Sequence, residues 1–249
     1  MLFRSTDRLS DMLFTPSGDA VAHLRAEGIP ADQVHLVGNV MIDTLVAALP
    51  RAAALHAPQR HAVAPGEYAV VTLHRPSNVD DLDALKHLMT TLEEVARERP
   101  VLFPVHPRTR ERLLALGWTD RGAPRLLPPL GYLEMLGLVR EAGVVLTDSG
   151  GVQEETTFLG VPCLTIRPST ERPITCVLGT NHLVPPVREA LLAGVRSSIA
   201  ERRPHPPRIP LWDGAAGERI AELVAGPAPL MRGGTPTTVE EELSCVPSA

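Results

Sequence analysis

From Tyr68 onward, short apolar runs alternate with amphipathic segments, and this alternation constrains the fold more than any other sequence feature. Runs rich in β-branched residues predict buried strands, and the longer segments between them predict helices. Such an alternation is typical of an α/β fold with a doubly wound parallel sheet, covered by helices on both faces. The predicted strands are 68–73, 101–105, 125–127, 144–146, 162–166 and 182–184.

The remaining segments complete the predicted pattern. Before the alternation, the sequence predicts two short strands at 12–15 and 34–37 and an amphipathic helix at 40–55. Residues 56–66 contain proline and alanine and predict a surface connection. Further helices are predicted at 5–10, 17–27, 80–97, 109–116, 133–141, 152–159, 175–178, 187–201 and 215–225.

A turn rich in small residues follows the predicted strand 144–146. Asp148, Ser149, Gly150 and Gly151 separate that strand from the next helix. The unpaired amides and the dipole of a helix start favour an anion, and glycine lets a ligand approach the backbone closely. A lone Ser-Gly-Gly is still better explained by an ordinary N-cap.

Polar clusters at four predicted strand ends change that judgement. They span 74–78, 106–108, 148–151 and 167–173, and the carboxyl ends of parallel strands meet at one edge of a sheet. These clusters contain four cationic or donor side chains, those of His74, Arg75, Arg167 and Arg172. Together with the Ser149 hydroxyl and the glycine amides, they suit a diphosphate.

Two further assignments stay open at this point. Glu155 could accept the hydroxyls of a ribose, or it could simply occupy a helix start, where acids gain about 0.3–1 kcal/mol from the dipole. His106 with Arg108, Arg110 and Arg112 could form a second anion patch, although a solvated helix face explains those arginines better.

Composition excludes several classes of protein. With 24 basic and 29 acidic residues, the net charge of −5 argues against a general nucleic-acid binder but not against an anionic small ligand. No apolar run approaches the roughly 18 residues of a membrane span, so no membrane partner is expected. Three widely spaced cysteines predict reduced thiols and a cytoplasmic location. Nine scattered histidines show no metal-ligand spacing, so we expect no metal and no cofactor.

Four motifs, in this order, resemble the non-hydrolysing UDP-N-acetylglucosamine 2-epimerases. They are Thr72-Leu73-His74-Arg75-Pro76-Ser77-Asn78, Val105-His106-Pro107, the stretch from Leu146 to Glu155, and Thr170-Glu171-Arg172-Pro173. Gly38-Asn39 with Ile42-Asp43, and Trp212-Asp213-Gly214, also look like that family, so the resemblance runs from about residue 4 to residue 225.

The resemblance implies a fold and a reaction. Members of this family have the two-domain GT-B fold and interconvert UDP-GlcNAc and UDP-ManNAc, nucleotide sugars for cell-envelope polysaccharides. UDP is eliminated across C1–C2 to give a 2-acetamidoglucal, and it then re-adds with the opposite configuration at C2. The implied assembly is a homodimer, and UDP-GlcNAc or UDP is the implied ligand.

The resemblance also implies roles for individual residues. Ser149, Gly150 and Gly151 would bind the phosphates, Glu155 the ribose, and the turn near Met135 the uracil. Met135 replaces an aromatic residue that is common in the family, so base stacking is not expected there. The remaining implied roles are His74 as the catalytic group beside the leaving UDP, Arg172 close by, and His106 at an allosteric UDP-GlcNAc site.

The resemblance divides the chain into three parts. Residues 1–56 would be a remnant of a first Rossmann-like domain with its connecting helix, 57–225 the UDP-binding Rossmann-like domain, and 226–249 a disordered tail. The acidic residues that move the C2 proton would lie in an amino-terminal half, which a separate chain could supply. A positioned base commonly contributes 10²–10⁴-fold, so we expect UDP binding with negligible turnover, and self-association through exposed apolar surface.

Two alternatives compete with an epimerase. A GT-B glycosyltransferase would share the nucleotide-binding half, although the order of His-Arg-Pro-Ser-Asn before Ser-Gly-Gly-Val-Gln-Glu-Glu disfavours it. A stand-alone nucleotide-sugar-binding module without catalysis is the other alternative.

Overall fold

The computed structural model describes residues 2–119, 122–200 and 208–226. All strand pairs in this part of the chain are parallel, and they form a small sheet and a large one. The small sheet pairs β1 (Leu13–Thr15) with β2 (Val34–Leu36). The large sheet contains β3 (Ala69–Thr72), β4 (Val101–Pro104), β5 (Arg125–Leu127), β6 (Val144–Thr147), β7 (Cys163–Ile166) and β8 (Asn181–Val184).

Helices connect successive strands of the large sheet and precede it. The helices before the sheet are α1 (Leu2–Leu9), α2 (Gly18–Ala26), α3 (Val40–Ala54) and α4 (Ala57–Arg60). Those between its strands are α5 (Pro76–Val79), α6 (Leu82–Glu98), α7 (Pro107–Ala115), α8 (Tyr132–Arg140), α9 (Gly150–Leu159) and α10 (Pro173–Val177). Two more, α11 (Arg188–Ala200) and α12 (Ala216–Ala225), follow the last strand.

The strand order of the large sheet is β5-β4-β3-β6-β7-β8. Numbered within the sheet, this is 3-2-1-4-5-6, the doubly wound order of dinucleotide-binding Rossmann domains. The chain leaves β3 in one direction across the sheet and returns to β6 on its other side. Ligands of open parallel sheets bind at this reversal, beyond the carboxyl ends of the two central strands. The predicted fold class is therefore confirmed.

Alternating side chains of the central strands build two cores. In β3, Ala69 and Val71 face a core with α6 and α11, whereas Val70 faces a core with α4 and α8. In β6, Val144 and Leu146 join the first core and Val145 the second. Burial on both faces explains why the strands are apolar runs without polar alternation, and it fixes their register.

The segment that precedes the large sheet packs against the end of the described chain. Trp212 Nε1 donates to the carbonyl of Pro16 at 2.9 Å, and Ile42 packs with Ile209 and Trp212. The Asp43 carboxylate accepts from the amides of Ala216 at 3.1 Å and Gly217 at 2.6 Å, so α3 caps the start of α12. The motifs at 38–43 and 212–214 are thus parts of one contact.

Gly38 shows why this contact needs glycine. Its φ of +91° is unfavourable for other residues, and a methyl group there would lie 2.1 Å from the Leu211 carbonyl oxygen. Close approach of the two backbones is possible only without a side chain.

Most predicted element positions are confirmed within one or two residues. The surface connection at 56–66 is wrong, because α4 forms there and Ala57 and Pro58 are buried against the sheet-facing helices. Proline favours the first turn of a helix, which the prediction overlooked. Residue 201 and the predicted tail at 227–249 lie outside the described residues.

Across the described ranges, no helix is long and apolar enough to cross a membrane.

Candidate functional site

The loops after β3 and β6 meet at the reversal of the strand order. The loop after β3 begins at Leu73, and the loop after β6 consists of Asp148 and Ser149. Thr72 and Thr147, the last residues of the two strands, are register partners, and their hydroxyl oxygens lie 2.6 Å apart. The structure therefore brings two of the four predicted polar clusters together at the edge where a ligand is expected.

Among the residues that the structure describes, the Ser149 hydroxyl has no hydrogen-bond partner. Ser149 is the N-cap of α9, but its side chain makes no capping hydrogen bond, while its amide donates to Thr147 Oγ1 at 3.0 Å. The amides of Gly150 and Gly151 lie in the first helical turn, where no intrahelical acceptor exists. A methyl group added at Gly150 would meet no atom within 4 Å outside its own helix. The helix start is thus open to a ligand.

Asp148 connects the two loops beneath this opening. Its fully buried carboxylate accepts from the amides of His74 at 3.1 Å and Arg75 at 2.9 Å, and from Asn78 Nδ2 at 3.0 Å. The Asn78 amide also donates to the Ile166 carbonyl at 3.2 Å, which extends the connection to β7. Charge-assisted hydrogen bonds from several donors stabilise a buried carboxylate that would otherwise be costly.

His74 projects from this connection toward solvent. Its Nδ1 lies 2.8 Å from Asp148 Oδ1, and 58% of the side chain is exposed. The adjacent Arg75 donates from Nε to the Asp148 carbonyl at 3.1 Å. Both predicted cationic side chains of this loop therefore lie beside the start of α9.

Glu155 lies one turn into α9 and is paired with a tyrosine. Tyr132 donates its hydroxyl to Glu155 Oε1 at 3.1 Å. Burial raises the pKa of the Glu155 carboxyl, the hydrogen bond from Tyr132 lowers it, and the charge of Glu154 raises it further. Burial and the neighbouring Glu155 raise the pKa of Tyr132 to about 12. Tyr132 stays 43% exposed, so an aromatic surface lies beside Glu155, the residue that is predicted to bind the ribose.

Arg172 is paired with a buried carboxylate. Its Nε lies 2.8 Å from Glu154 Oε1, and 43% of its side chain is exposed. Burial raises the pKa of Glu154, and the positive charge of Arg172 opposes that shift. The ion pair holds Arg172 beside α9 while part of its guanidinium group stays accessible.

Arg167 is less available than the sequence suggests. Its guanidinium donates to both oxygens of Glu171, at 2.7 and 2.6 Å, and it is 7% exposed. These hydrogen bonds lower the pKa of Glu171 to about 2. Arg75 Nη2 lies 3.6 Å from the same carboxylate. Glu171 therefore neutralises the charge of Arg167 and also lies close to the guanidinium group of Arg75.

A buried polar network holds the loop that carries Arg172. Gln153 Oε1 accepts from Thr170 Oγ1 at 2.6 Å and from Asn181 Nδ2 at 3.1 Å. Thr175 Oγ1 in turn donates to the Arg172 carbonyl at 2.7 Å and accepts from Asn181. Because each polar group is satisfied inside the fold, this loop is rigidly attached to α9 and β8.

Two predicted residues have different environments. Met135 is half-buried and packs against the core that contains residues of α4 and α8. His106 is exposed and accepts from the Arg108 amide at 3.4 Å at the start of α7. Arg108 and Arg112 both bind the single carboxylate of Asp80, which offsets part of the positive charge of the predicted second anion patch.

Sequence reasoning missed three contributors to the site. Asp148 was placed in the turn, but its role in connecting two loops depends on strand pairing. Tyr132 lies outside every motif, and Gln153 lies within the motif from Leu146 to Glu155 but was given no role of its own. The one available signal was the occurrence of an aspartate directly after a buried strand, where an uncompensated charge would be costly.

A family comparison decides the relationship of this chain to known proteins. The family model described as UDP-N-acetylglucosamine 2-epimerase matches residues 2–225. The chain belongs to this family. The match includes every motif on which the resemblance was based, and the related structures confirm the GT-B-type fold class.

Individual relatives place the chain within the family. It is 36% identical over 228 residues to UDP-N-acetylglucosamine 2-epimerase of Methanocaldococcus jannaschii, covering 88% of this chain and 62% of the relative. It is 37% identical over 223 residues to UDP-2,3-diacetamido-2,3-dideoxy-D-glucuronate 2-epimerase of Pseudomonas aeruginosa, covering 88% and 61%. The chain thus spans about three fifths of the length of these relatives.

A solved structure gives the corresponding comparison of folds. The M. jannaschii UDP-GlcNAc 2-epimerase in complex with UDP-GlcNAc and UDP matches with a TM-score of 0.78 and 35% identity. The match covers 88% of this chain and 62% of that chain.

Proposed function

We propose that this chain binds UDP as part of a UDP-GlcNAc 2-epimerase, which interconverts UDP-GlcNAc and UDP-ManNAc by elimination and re-addition of UDP. The observation that carries the proposal is the open start of α9 at the reversal of the strand order, with His74 and Arg75 beside it. A diphosphate fits this place because amides, a free serine hydroxyl and cationic side chains converge there.

The proposed contacts combine the roles that the family resemblance implies with the positions of these side chains in the structure. Ser149, Gly150 and Gly151 bind the phosphates, and Glu155 accepts the ribose hydroxyls with the carboxylate that Tyr132 orients. His74 donates to the departing diphosphate, and Arg172 adds positive charge nearby. Donors that strengthen as charge develops on leaving UDP lower the barrier to C1–O cleavage. By the same resemblance, Met135 lies near the uracil and His106 belongs to a second, allosteric UDP-GlcNAc site.

The organisation of the chain is also part of the proposal. Residues 57–225 form the UDP-binding unit and 1–56 a segment that belongs to a first Rossmann-like domain. We assign no base for the C2 proton, so the share of the reaction proposed for this chain is holding and releasing UDP.

A homodimer is the proposed assembly, and multi-angle light scattering would test it against a monomer.

A second sugar is a specific alternative. The P. aeruginosa relative is named for a diacetamido glucuronate, and its identity to this chain is as high as that of the M. jannaschii enzyme. Both reactions would use the same diphosphate and ribose contacts, so the UDP site does not distinguish them.

Calorimetry with UDP, ADP and the two UDP-sugars tests the proposal. We expect UDP and at least one UDP-sugar to bind and ADP to bind at least 10-fold more weakly. Equal affinities for UDP and ADP, or no binding of UDP, would refute it. Deuterium incorporation at C2 in heavy water would then report epimerisation of whichever sugar binds.

A further inference from the structure

Asp148 has more contacts with the β3 loop than a helix-start turn requires. Its side chain is fully buried, and its two oxygens divide the donors between them. Oδ2 accepts from the Arg75 amide at 2.9 Å, Asn78 Nδ2 at 3.0 Å and the His74 amide at 3.1 Å. Oδ1 lies 2.8 Å from His74 Nδ1 and 3.2 Å from the His74 amide. One oxygen therefore holds the loop and the other meets the imidazole.

The carboxylate also determines how the His74 ring can be protonated. An ionised carboxylate only accepts hydrogen bonds, so Nδ1 must carry a proton to bond with it. The exchangeable position is then Nε2, on the opposite edge of the ring. Within the described residues, Nε2 has no hydrogen-bond partner, and most of the side chain is exposed.

We propose that Asp148 is a positioning residue for His74, holding Nδ1 protonated so that Nε2, on the accessible edge of the ring, is the nitrogen that takes up a proton from solvent and donates it to the diphosphate. The ligand named here rests on the proposed function, whereas the tautomer is a property of the chain itself.

Asp148→Asn tests the role of Oδ1 separately from that of Oδ2. If the amide oxygen occupies the Oδ2 position, the hydrogen bonds from Arg75 and Asn78 persist. The amide nitrogen then faces His74 Nδ1 and can only donate, so Nδ1 must become the acceptor and the proton moves to Nε2. The substitution is nearly isosteric, so it changes the tautomer with little change in shape.

Nitrogen NMR of the His74 ring at a pH where it is neutral tests this directly. We expect Nδ1–H in the wild type and Nε2–H in Asp148→Asn. Asn78→Ala is the control, because it removes a loop hydrogen bond without touching Oδ1; it should keep Nδ1–H. Nε2–H in the wild type, or an unchanged tautomer in Asp148→Asn, would overturn the proposal. A switch in Asn78→Ala would also overturn it, because the loop rather than the carboxylate would then set the ring. If a variant does not fold, the wild-type spectrum alone still shows whether Nδ1 or Nε2 carries the proton.

UDP binding provides the second readout. We expect Asp148→Asn to bind UDP about 10-fold more weakly, because a ring whose Nδ1 faces an amide NH₂ cannot hold protons on both nitrogens and meets the diphosphate as a neutral donor, without charge assistance. An affinity equal to wild type would overturn the link between the tautomer and the ligand. If the wild type itself does not bind UDP, the proposed function fails, while the tautomer result stands or falls separately.

Discussion

Ser149 shows how one side chain can serve a ligand without serving the fold. Its hydroxyl makes no capping bond, so Ser149→Ala should change the free energy of unfolding by less than about 0.5 kcal/mol. UDP affinity should fall by about 1–3 kcal/mol if the hydroxyl bonds a phosphate. Calorimetry and chemical denaturation measure both quantities. Ser197→Ala on α11 is the control, and equal UDP affinity in both variants would remove Ser149 from the site.

The ionised carboxylate of Glu155 is expected to lower the stability of the fold. Its raised pKa means that folding favours the protonated form: the stability contribution is complete below the unfolded pKa of about 4.3 and is lost as pH rises through the folded pKa. Glu155→Gln should therefore be at least as stable as wild type at neutral pH, with an advantage that grows as pH rises from the unfolded pKa through the raised folded pKa. Denaturation at several pH values measures this.

The same variant tests the ribose contact. Glu155→Gln should weaken UDP by about 10-fold and leave pyrophosphate nearly unchanged, because only UDP carries ribose hydroxyls. Equal losses for the two ligands would show that Glu155 acts on the phosphates or on the fold instead.

At the scale of single elements, the start of α9 is the central feature. Gly150→Ala adds a methyl group into open space, so it should leave stability unchanged or raise it by up to about 1 kcal/mol. If a phosphate occupies that space, UDP affinity should fall by 10-fold or more. Gly18→Ala is a matched control, because Gly18 also begins a helix with nothing within 4 Å of the added carbon. UDP affinity that is the same in the Gly150 and Gly18 variants would place the ligand elsewhere.

The elements were largely predictable, and the contacts between their ends were not. Strand positions followed from apolar runs because both faces of the sheet are buried, and the predicted end of the helix at 152–159 coincides with Gly160, which caps α9 with a φ of +70°. The contact between His74 and Asp148 depends on the pairing of β3 with β6, which one sequence does not reveal. Arg167 was expected to face a ligand, but its guanidinium group forms an ion pair with Glu171 instead. The two oppositely charged residues are four positions apart and meet within the same loop.

At the scale of the whole molecule, α3 connects the first segment to α12. Asp43 accepts two amides at the start of α12, so Asp43→Ala should destabilise the chain by about 1–2 kcal/mol, as for loss of a helix cap. UDP affinity should stay within about 2-fold of wild type, since Asp43 is not among the proposed ligand contacts. Thermal denaturation that matches wild type would show that this contact does not contribute to the fold.

The central claim is that UDP binds at the start of α9, where the strand order reverses. Amide NMR spectra recorded during a UDP titration test this most directly. We predict the largest shifts at Ser149, Gly150 and Gly151, with smaller ones at His74 and Arg75, and the same set, without the Glu155 region, for pyrophosphate. UDP binding that shifts other amides while leaving Gly150 and Gly151 unchanged would contradict the account.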